Sequence, residues 1–213
     1  MTTKAMTQGR TIHWARLYDL GTDLFGGRVR SLHHSLLELA AIAPGDRVLD
    51  VGCGPGRLTL AAALAAGPSG ETLGIDPSPE MIELATQKAT RSGSPALFRI
   101  AAVEAIPAPD DHFDAVLASL MLHHLPPELQ RRGVGEVLRV LKPNGRFVIA
   151  DFSATPGHGI GHLLCVLGFR RGTEHAEHLR SLVGAAGFEG VRIEPAASRA
   201  FCLLRARKPA PTS

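Results

Sequence analysis

Residues 47–57, read Arg47-Val-Leu-Asp50-Val-Gly52-Cys-Gly54-Pro-Gly56-Arg57, decide how this chain folds. Arg47 to Val51 is a short apolar run with β-branched Val48 and Val51, which favours a buried strand. Glycines at alternate positions, Gly52, Gly54 and Gly56, then let the backbone approach a ligand closely. They feed into an alanine-rich helix from Arg57 to about Ala66, whose first amides and positive dipole end favour an anion. A dinucleotide-binding turn would place its last glycine at position 57, where Arg57 stands. Asp50, at the carboxyl end of the strand, offers a place for a ligand ammonium. Acid and helix terminus together suit an amino-acid moiety, and an NAD pyrophosphate has no use for that acid.

The alternation continues on the carboxyl side. A strand from Thr72 to Ile75 leads to a helix with Ser78 as N-cap, Pro79 at its first position and Gly93 closing it. Strands at Ala96–Ala101 and Phe113–Ala118 follow, then a helix carrying Val134, Val137, Leu138 and Leu141 on one side. Pro143-Asn144-Gly145 breaks that helix and starts a strand from Arg146 to Asp151. Leu179, Leu182, Val183 and Ala186 mark a helix ending at Gly187, before a strand pair at Val191–Glu194 and Arg199–Arg205. Short strands alternating with helices predict a doubly wound, mostly parallel α/β sheet covered on both faces.

On the amino side, Thr11 to Ile42 reads as helical, with Val29, Leu32, Leu36 and Leu39 on one face. We therefore expect a helical lid over residues 1–42 and a ligand-binding domain over 43–213, with 152–174 an insertion over the carboxyl edge of the sheet. Of the 213 residues 45% are hydrophobic and 20% charged, which suits one globular domain with a substantial core. Twenty-three Lys and Arg against 20 Asp and Glu leave +3, too small and too scattered an excess for a nucleic-acid footprint. Apolar stretches such as Ala61–Ala66 and Leu163–Leu167 fall far short of the roughly 20 residues that span a bilayer. Met1 to Arg10 is polar and no apolar signal core follows, so a cytoplasmic chain without integral membrane association is expected. Cys53, Cys165 and Cys202 form no Cys-x-x-Cys pair, against a disulfide framework or structural zinc, and no metal is expected.

Ligands of open α/β sheets sit outside the carboxyl ends of the strands, which directs attention to the loops there. Asp76, ending the neighbouring strand, can accept hydrogen bonds from both hydroxyls of a ribose. Ala102 to Pro107 can offer backbone groups to an adenine edge, and Ser119 to His124 forms an apolar shelf ending in two histidines. His158 with His162, and His175 with His178, have ligand-like spacings. Glycines break up the first pair, and Glu174 and Glu177 suggest a solvated face for the second.

Four stretches in order, VLDVGCGPG, GIDPSPEMIELA, VEAIPAPDDHFDAVLASLMLHHL and EVLRVLKPNGRFVIADF, spread over Arg47 to Asp151, resemble the class I S-adenosylmethionine-dependent methyltransferases. The likeness is to the small single-domain group that includes quinone C-methyltransferases and other small-molecule methyltransferases. It implies a Rossmann-like seven-stranded sheet with the last strand antiparallel and S-adenosylmethionine as cofactor. Carried over by position, Asp50, Gly52, Gly54 and Gly56 would hold the methionine portion, Asp76 with Pro77 the ribose, and Val103 and Glu104 the adenine, with Met81 in apolar contact. Ser119 would approach the methionine ammonium through its carbonyl, and Tyr18 would contact the ligand from the N-terminal helix. The chain departs from the family at Ala102, where members often carry an Asp that receives the adenine amino group.

Methyl transfer from a sulfonium needs alignment, exclusion of water and, for a protonated acceptor, a base. The candidates are His124, His123 and Asp151, in that order, since a neutral His suits proton removal near pH 7. Phe152, Leu163, Leu164, Leu167 and Phe169 would line an acceptor pocket, which points to a small hydrophobic acceptor. The competing readings are an NAD-linked oxidoreductase, disfavoured by Arg57 and Asp50, and a cofactor-binding protein without turnover.

Overall fold

The computed structural model describes residues 26–154, 173–196 and 198–211. Strands β1 (Arg47–Val51), β2 (Glu71–Asp76), β3 (Leu97–Ile100), β4 (Phe113–Ser119), β5 (Leu141–Phe152), β6 (Glu189–Glu194) and β7 (Phe201–Arg207) form one sheet. Their order is β3-β2-β1-β4-β5-β7-β6, with β7 antiparallel to both neighbours and β1 to β5 parallel. The helices are α1 (Gly26–Ala40), α2 (Arg57–Ala66), α3 (Pro79–Ser92), α4 (Pro127–Val140) and α5 (Glu174–Ala185), with single 3₁₀ turns at Val103–Ala105 and Leu122–His124. Among the described residues no helix is long and apolar enough to cross a membrane.

Side chains alternate across the central strands and divide the core in two. On one face Val116 and Ala118 of β4 and Phe147 and Ile149 of β5 pack with Val134 and Val137 of α4 and Leu179 and Val183 of α5. On the other, Ala115, Leu117, Val148 and Ala150 pack with Leu58, Ala62 and Ala66 of α2 and Leu32, Leu36 and Ala40 of α1. Burial on both faces accounts for the near-continuous apolar strands. Strand order reverses between β1 and β4, since β2 and β3 lie to one side and β5 to the other. A crevice therefore opens over their carboxyl ends.

Leu36 and Ala40 of α1 are fully buried in the core layer that includes β4 and β5 residues. The lid reading of residues 1–25 lies outside the described residues. Strand β5 begins at Leu141 rather than Arg146, because Phe113 pairs with Leu141 before the register jumps to Ala115 with Arg146. Pro143, Asn144 and Gly145 make that jump as an excursion within the strand, with Asn144 at φ +64°.

Helix boundaries follow the local chemistry. Ser78 Oγ accepts from the Met81 amide at 3.4 Å, Pro79 takes the first position of α3, and Gly93 closes it at φ +65°. Gly56 caps α2 at φ +80°, and a Cβ there would lie 2.8 Å from Ala85 Cβ and 2.8 Å from the Phe98 ring. Gly54 has φ +50° with nothing within 4 Å of an added Cβ. Gly56→Ala should therefore lose about 2–5 kcal/mol of stability, the left-handed penalty plus overpacking, and Gly54→Ala only about 1–2 kcal/mol. Urea unfolding of the two variants measures the difference; equal losses would contradict a packing role for Gly56.

Candidate active site

The loop after β1 is fastened to the end of β2. The Cys53 amide donates to the Ile75 carbonyl at 3.0 Å, and the Gly54 amide donates to Asp76 Oδ2 at 3.0 Å. Asp76 Oδ1 accepts from the Ser78 amide at 2.9 Å, so one carboxylate holds the loops after two adjacent strands. Burial pushes the Asp76 carboxyl upward, opposed by these two amides. Asp50 is 1% exposed and accepts from Thr59 Oγ1 at 2.6 Å. Burial, with Asp76 nearby and against the Thr59 hydrogen bond, raises its carboxyl to about 7. Thr59 escaped the sequence reading, although a hydroxyl among the alanines and leucines of α2 is the signal that marks it.

The opposite wall follows β4. Leu120 has φ +52°, a strained conformation for a non-glycine residue, and its amide donates to the Ala150 carbonyl at 2.8 Å. Met121 lies over Gly52, where an added Cβ would stand 2.7 Å from Met121 Cβ. The Ser119 hydroxyl is buried without a hydrogen-bond partner, and so is Glu104 Oε2. Unpaired buried polar atoms are costly, and such an atom in a cleft wall is a place for a ligand's donor or acceptor.

A cleft runs between these walls. Asp50, Gly52, Gly54, Asp76, Pro77, Met81, Ser119 and His124 all line it, so the structure brings together these sequence-predicted residues. Gly56 does not, because it faces Ala85 and Phe98 in the interior. Val103 packs against Gly133 of α4 and, with Glu104 on the same 3₁₀ turn, lies away from the cleft lining. Tyr18 lies outside the described residues, as do Leu163, Leu164, Leu167, Phe169, His158 and His162. The cleft also uses Val29 and His33 of α1, Arg57, Leu120, Met121 and Leu125, which were not singled out as site residues. Burial and the Arg57 guanidinium lower His33 to about 4, so its imidazole is neutral at physiological pH.

The paired histidines part ways. His124 lines the cleft, whereas the His123 side chain is 3% exposed with Nδ1 2.6 Å from Asp151 Oδ1. Asp151 is fully buried and also accepts from the Phe152 amide at 2.8 Å and the His123 amide at 3.3 Å. Burial alone would raise its carboxyl; the charges and hydrogen bonds of His123 and His175 overcome that and hold it well below the usual range. Asp151 therefore stays ionised and His123 Nδ1 carries the proton between them. Neither His123 nor Asp151 is among the residues that line the cleft, whereas His124 is. His175, expected on a solvated face, is buried instead. No cluster of three or more His, Cys, Asp or Glu among the described residues is arranged to hold a metal ion.

Residues 48–145 match the family model described as a methyltransferase domain. The arsenite methyltransferase of Halobacterium salinarum is 33% identical over 160 residues, covering 73% of this chain and 40% of that protein. A ubiquinone/menaquinone biosynthesis C-methyltransferase, UbiE, of Ectopseudomonas mendocina is 35% identical over 147 residues, covering 68% of this chain and 56% of that protein. This chain belongs to the class I S-adenosylmethionine-dependent methyltransferases. It spans about half the length of these curated relatives. The fold of the methyltransferase is shared with a SAM-dependent methyltransferase structure from Aquifex aeolicus, at a TM-score of 0.64 and 21% identity over 83% of this chain and 89% of that one.

The family's cofactor is S-adenosylmethionine. The cleft suits it by observation: the buried Asp50 and the half-buried Asp76 flank the glycine loop, open space lies over Gly54, and the Ser119 hydroxyl is buried without a hydrogen-bond partner. A cation beside Asp50 favours the ionised carboxylate, whereas the free protein holds that group half-protonated near pH 7. Binding of S-adenosylmethionine at pH 6.5 should therefore release protons, measured by calorimetry in two buffers of different ionisation enthalpy. Asp50→Asn should abolish that component, and buffer-independent heats in the parent protein would contradict a cation at Asp50.

Proposed function

We propose that this methyltransferase transfers a methyl group from S-adenosylmethionine to a small, predominantly apolar acceptor and releases S-adenosylhomocysteine. The observation that carries the reading is the cleft itself: Asp50 and Asp76 at the ends of adjacent strands, one on each side of a glycine loop with open space over Gly54. Asp50 would take the methionine ammonium and Asp76 the ribose hydroxyls, using lone pairs that its two loop amides leave available. The amide end of α2 and Arg57 suit the carboxylate. Pro77 and Met81, both on the cleft lining, would bound the ribose and base. An NAD pyrophosphate would meet Asp50 as an unfavourable like charge, which disfavours the oxidoreductase reading.

The cofactor supplies a methyl group on a positively charged sulfur, already activated for in-line displacement. Held by Asp50, Asp76 and the glycine loop, it would present that methyl group to an acceptor seated against the cleft's apolar wall, with S-adenosylhomocysteine as the leaving group. His124 takes the proton that the acceptor loses, and His123 and Asp151 stand behind it. Val29, Leu120, Met121 and Leu125 give the cleft an apolar wall that excludes water and suits a ring or chain of low polarity. A quinone-like ring agrees with that wall, and the UbiE relatives are named for ubiquinone and menaquinone biosynthesis. Arsenite chemistry draws less support: Cys53 and Cys202 are buried, and burial pushes the Cys202 thiol up to about 12.

Calorimetric titration of ligand-stripped protein tests the reading, with saturable binding of S-adenosylmethionine and S-adenosylhomocysteine expected and no heat from NAD. Binding of NAD alone would overturn it. Asp76→Ala should weaken cofactor affinity by about 2–4 kcal/mol through two lost charge-assisted hydrogen bonds, and unchanged affinity in a folded variant would remove Asp76 from the ribose site. With an acceptor found by screening hydrophobic phenols and quinols, His124→Ala should slow single-turnover transfer 10²–10⁴-fold with little change in cofactor affinity. An unaltered rate would mean that no base acts at that position.

A further inference from the structure

His175 and His178 stand three residues apart on α5, which puts them on one helical face, with ring centroids 6.3 Å apart. Each leads to the turn that carries His124, by a different route. His175 Nε2 lies 3.7 Å from Asp151 Oδ2, and Asp151 in turn holds both the ring and the backbone amide of His123. The His123 ring rests on that of His124, centroids 3.9 Å apart. By the second route, His178 Nε2 is 2.9 Å from Gln130 Oε1. Gln130 is 6% exposed and its amide nitrogen donates to the carbonyls of Leu122 at 3.0 Å and Leu125 at 3.1 Å. Those carbonyls bracket His123 and His124.

The donor inventory fixes the direction of this second chain. Gln130 spends both amide hydrogens on the two carbonyls, so its Oε1 can only accept and His178 must present Nε2–H. Without His178 the amide oxygen loses its side-chain partner, and the grip on the turn is left to the two carbonyl bonds alone. The His178 residue itself is exposed, so little packing depends on it.

We propose that His175 and His178 form a two-point brace by which α5 positions His124 in the cleft, the first acting through Asp151 and His123 and the second through Gln130. Both are positioning residues, and their importance for turnover rests on the reading of His124 as proton acceptor. The test uses the full chain with ¹⁵N-labelled histidine, its ring spectra recorded free and with S-adenosylhomocysteine, and His124 assigned by comparison with His124→Gln. In His178→Ala the His124 ring resonances should shift or broaden while the protein stays folded and S-adenosylhomocysteine affinity stays within threefold. His178→Gln, which keeps an N–H donor toward Gln130, should restore the parent spectrum. His124 resonances in His178→Ala that coincide with the parent's would overturn the brace, as would perturbation that the Gln variant does not reverse. If S-adenosylhomocysteine binds neither protein, the functional reading fails instead, and the spectra of the free proteins still decide the brace.

Discussion

Asp76 holds two loops at once, and the cleft depends on that arrangement. Its carboxylate receives the Gly54 amide on one oxygen and the Ser78 amide on the other, so the glycine loop after β1 and the start of α3 after β2 keep a fixed separation. Backbone amides in such turns would otherwise need water, and here a side chain satisfies them while leaving the outer faces of the carboxylate open. Thr59 holds the adjacent Asp50 by hydrogen bonding, but burial together with Asp76 keeps that group reluctant to ionise.

That reluctance has a sign in the stability of the free protein. The folded carboxyl sits near 7 against an ordinary value of 3.8, so between those values the unfolded chain has lost a proton that the folded chain keeps. Stability from this group is therefore full below about pH 4 and falls as pH rises toward 7, by about 4 kcal/mol at most. A bound cation reverses the balance, because the ionised form then has a partner. A carboxyl held so far from its ordinary value is the kind of group that clusters at functional sites.

Much of this was legible from local chemistry. The strand at Arg47–Val51, the helix at Arg57–Ala66 and the Ser78-to-Gly93 helix lie where apolar runs, caps and glycines place them. That Asp50, Asp76 and Ser119 line one cleft was legible because strand ends in this topology face one crevice. What escaped was set by contacts distant in sequence. Whether Gly56 answers to a ligand or to packing depends on Phe98, a residue of β3. His123 and His124 read alike as neighbours, and only Asp151, 28 positions away, separates a buried ring from one in the cleft. Likewise His175 reads as solvated from its acidic neighbours, yet it turns inward to the same aspartate.

The two faces of the sheet carry different parts of the site. Alternation along β4 and β5 sends Ala115, Leu117, Val148 and Ala150 toward α1 and α2, the layer that begins at the glycine loop and supplies His33 and Arg57 to the cleft. The opposite set, Val116, Ala118, Phe147 and Ile149, faces α4 and α5, from which Gln130, His175 and His178 reach the histidine turn. A one-residue slip of either strand would exchange the two sets and part the glycine loop from the turn that carries His124. The register that fills the core is thus also the constraint that sets the two walls of the cleft against each other. For this reason Asp151, the last but one residue of β5, can be fully buried and still decide the geometry of the cleft.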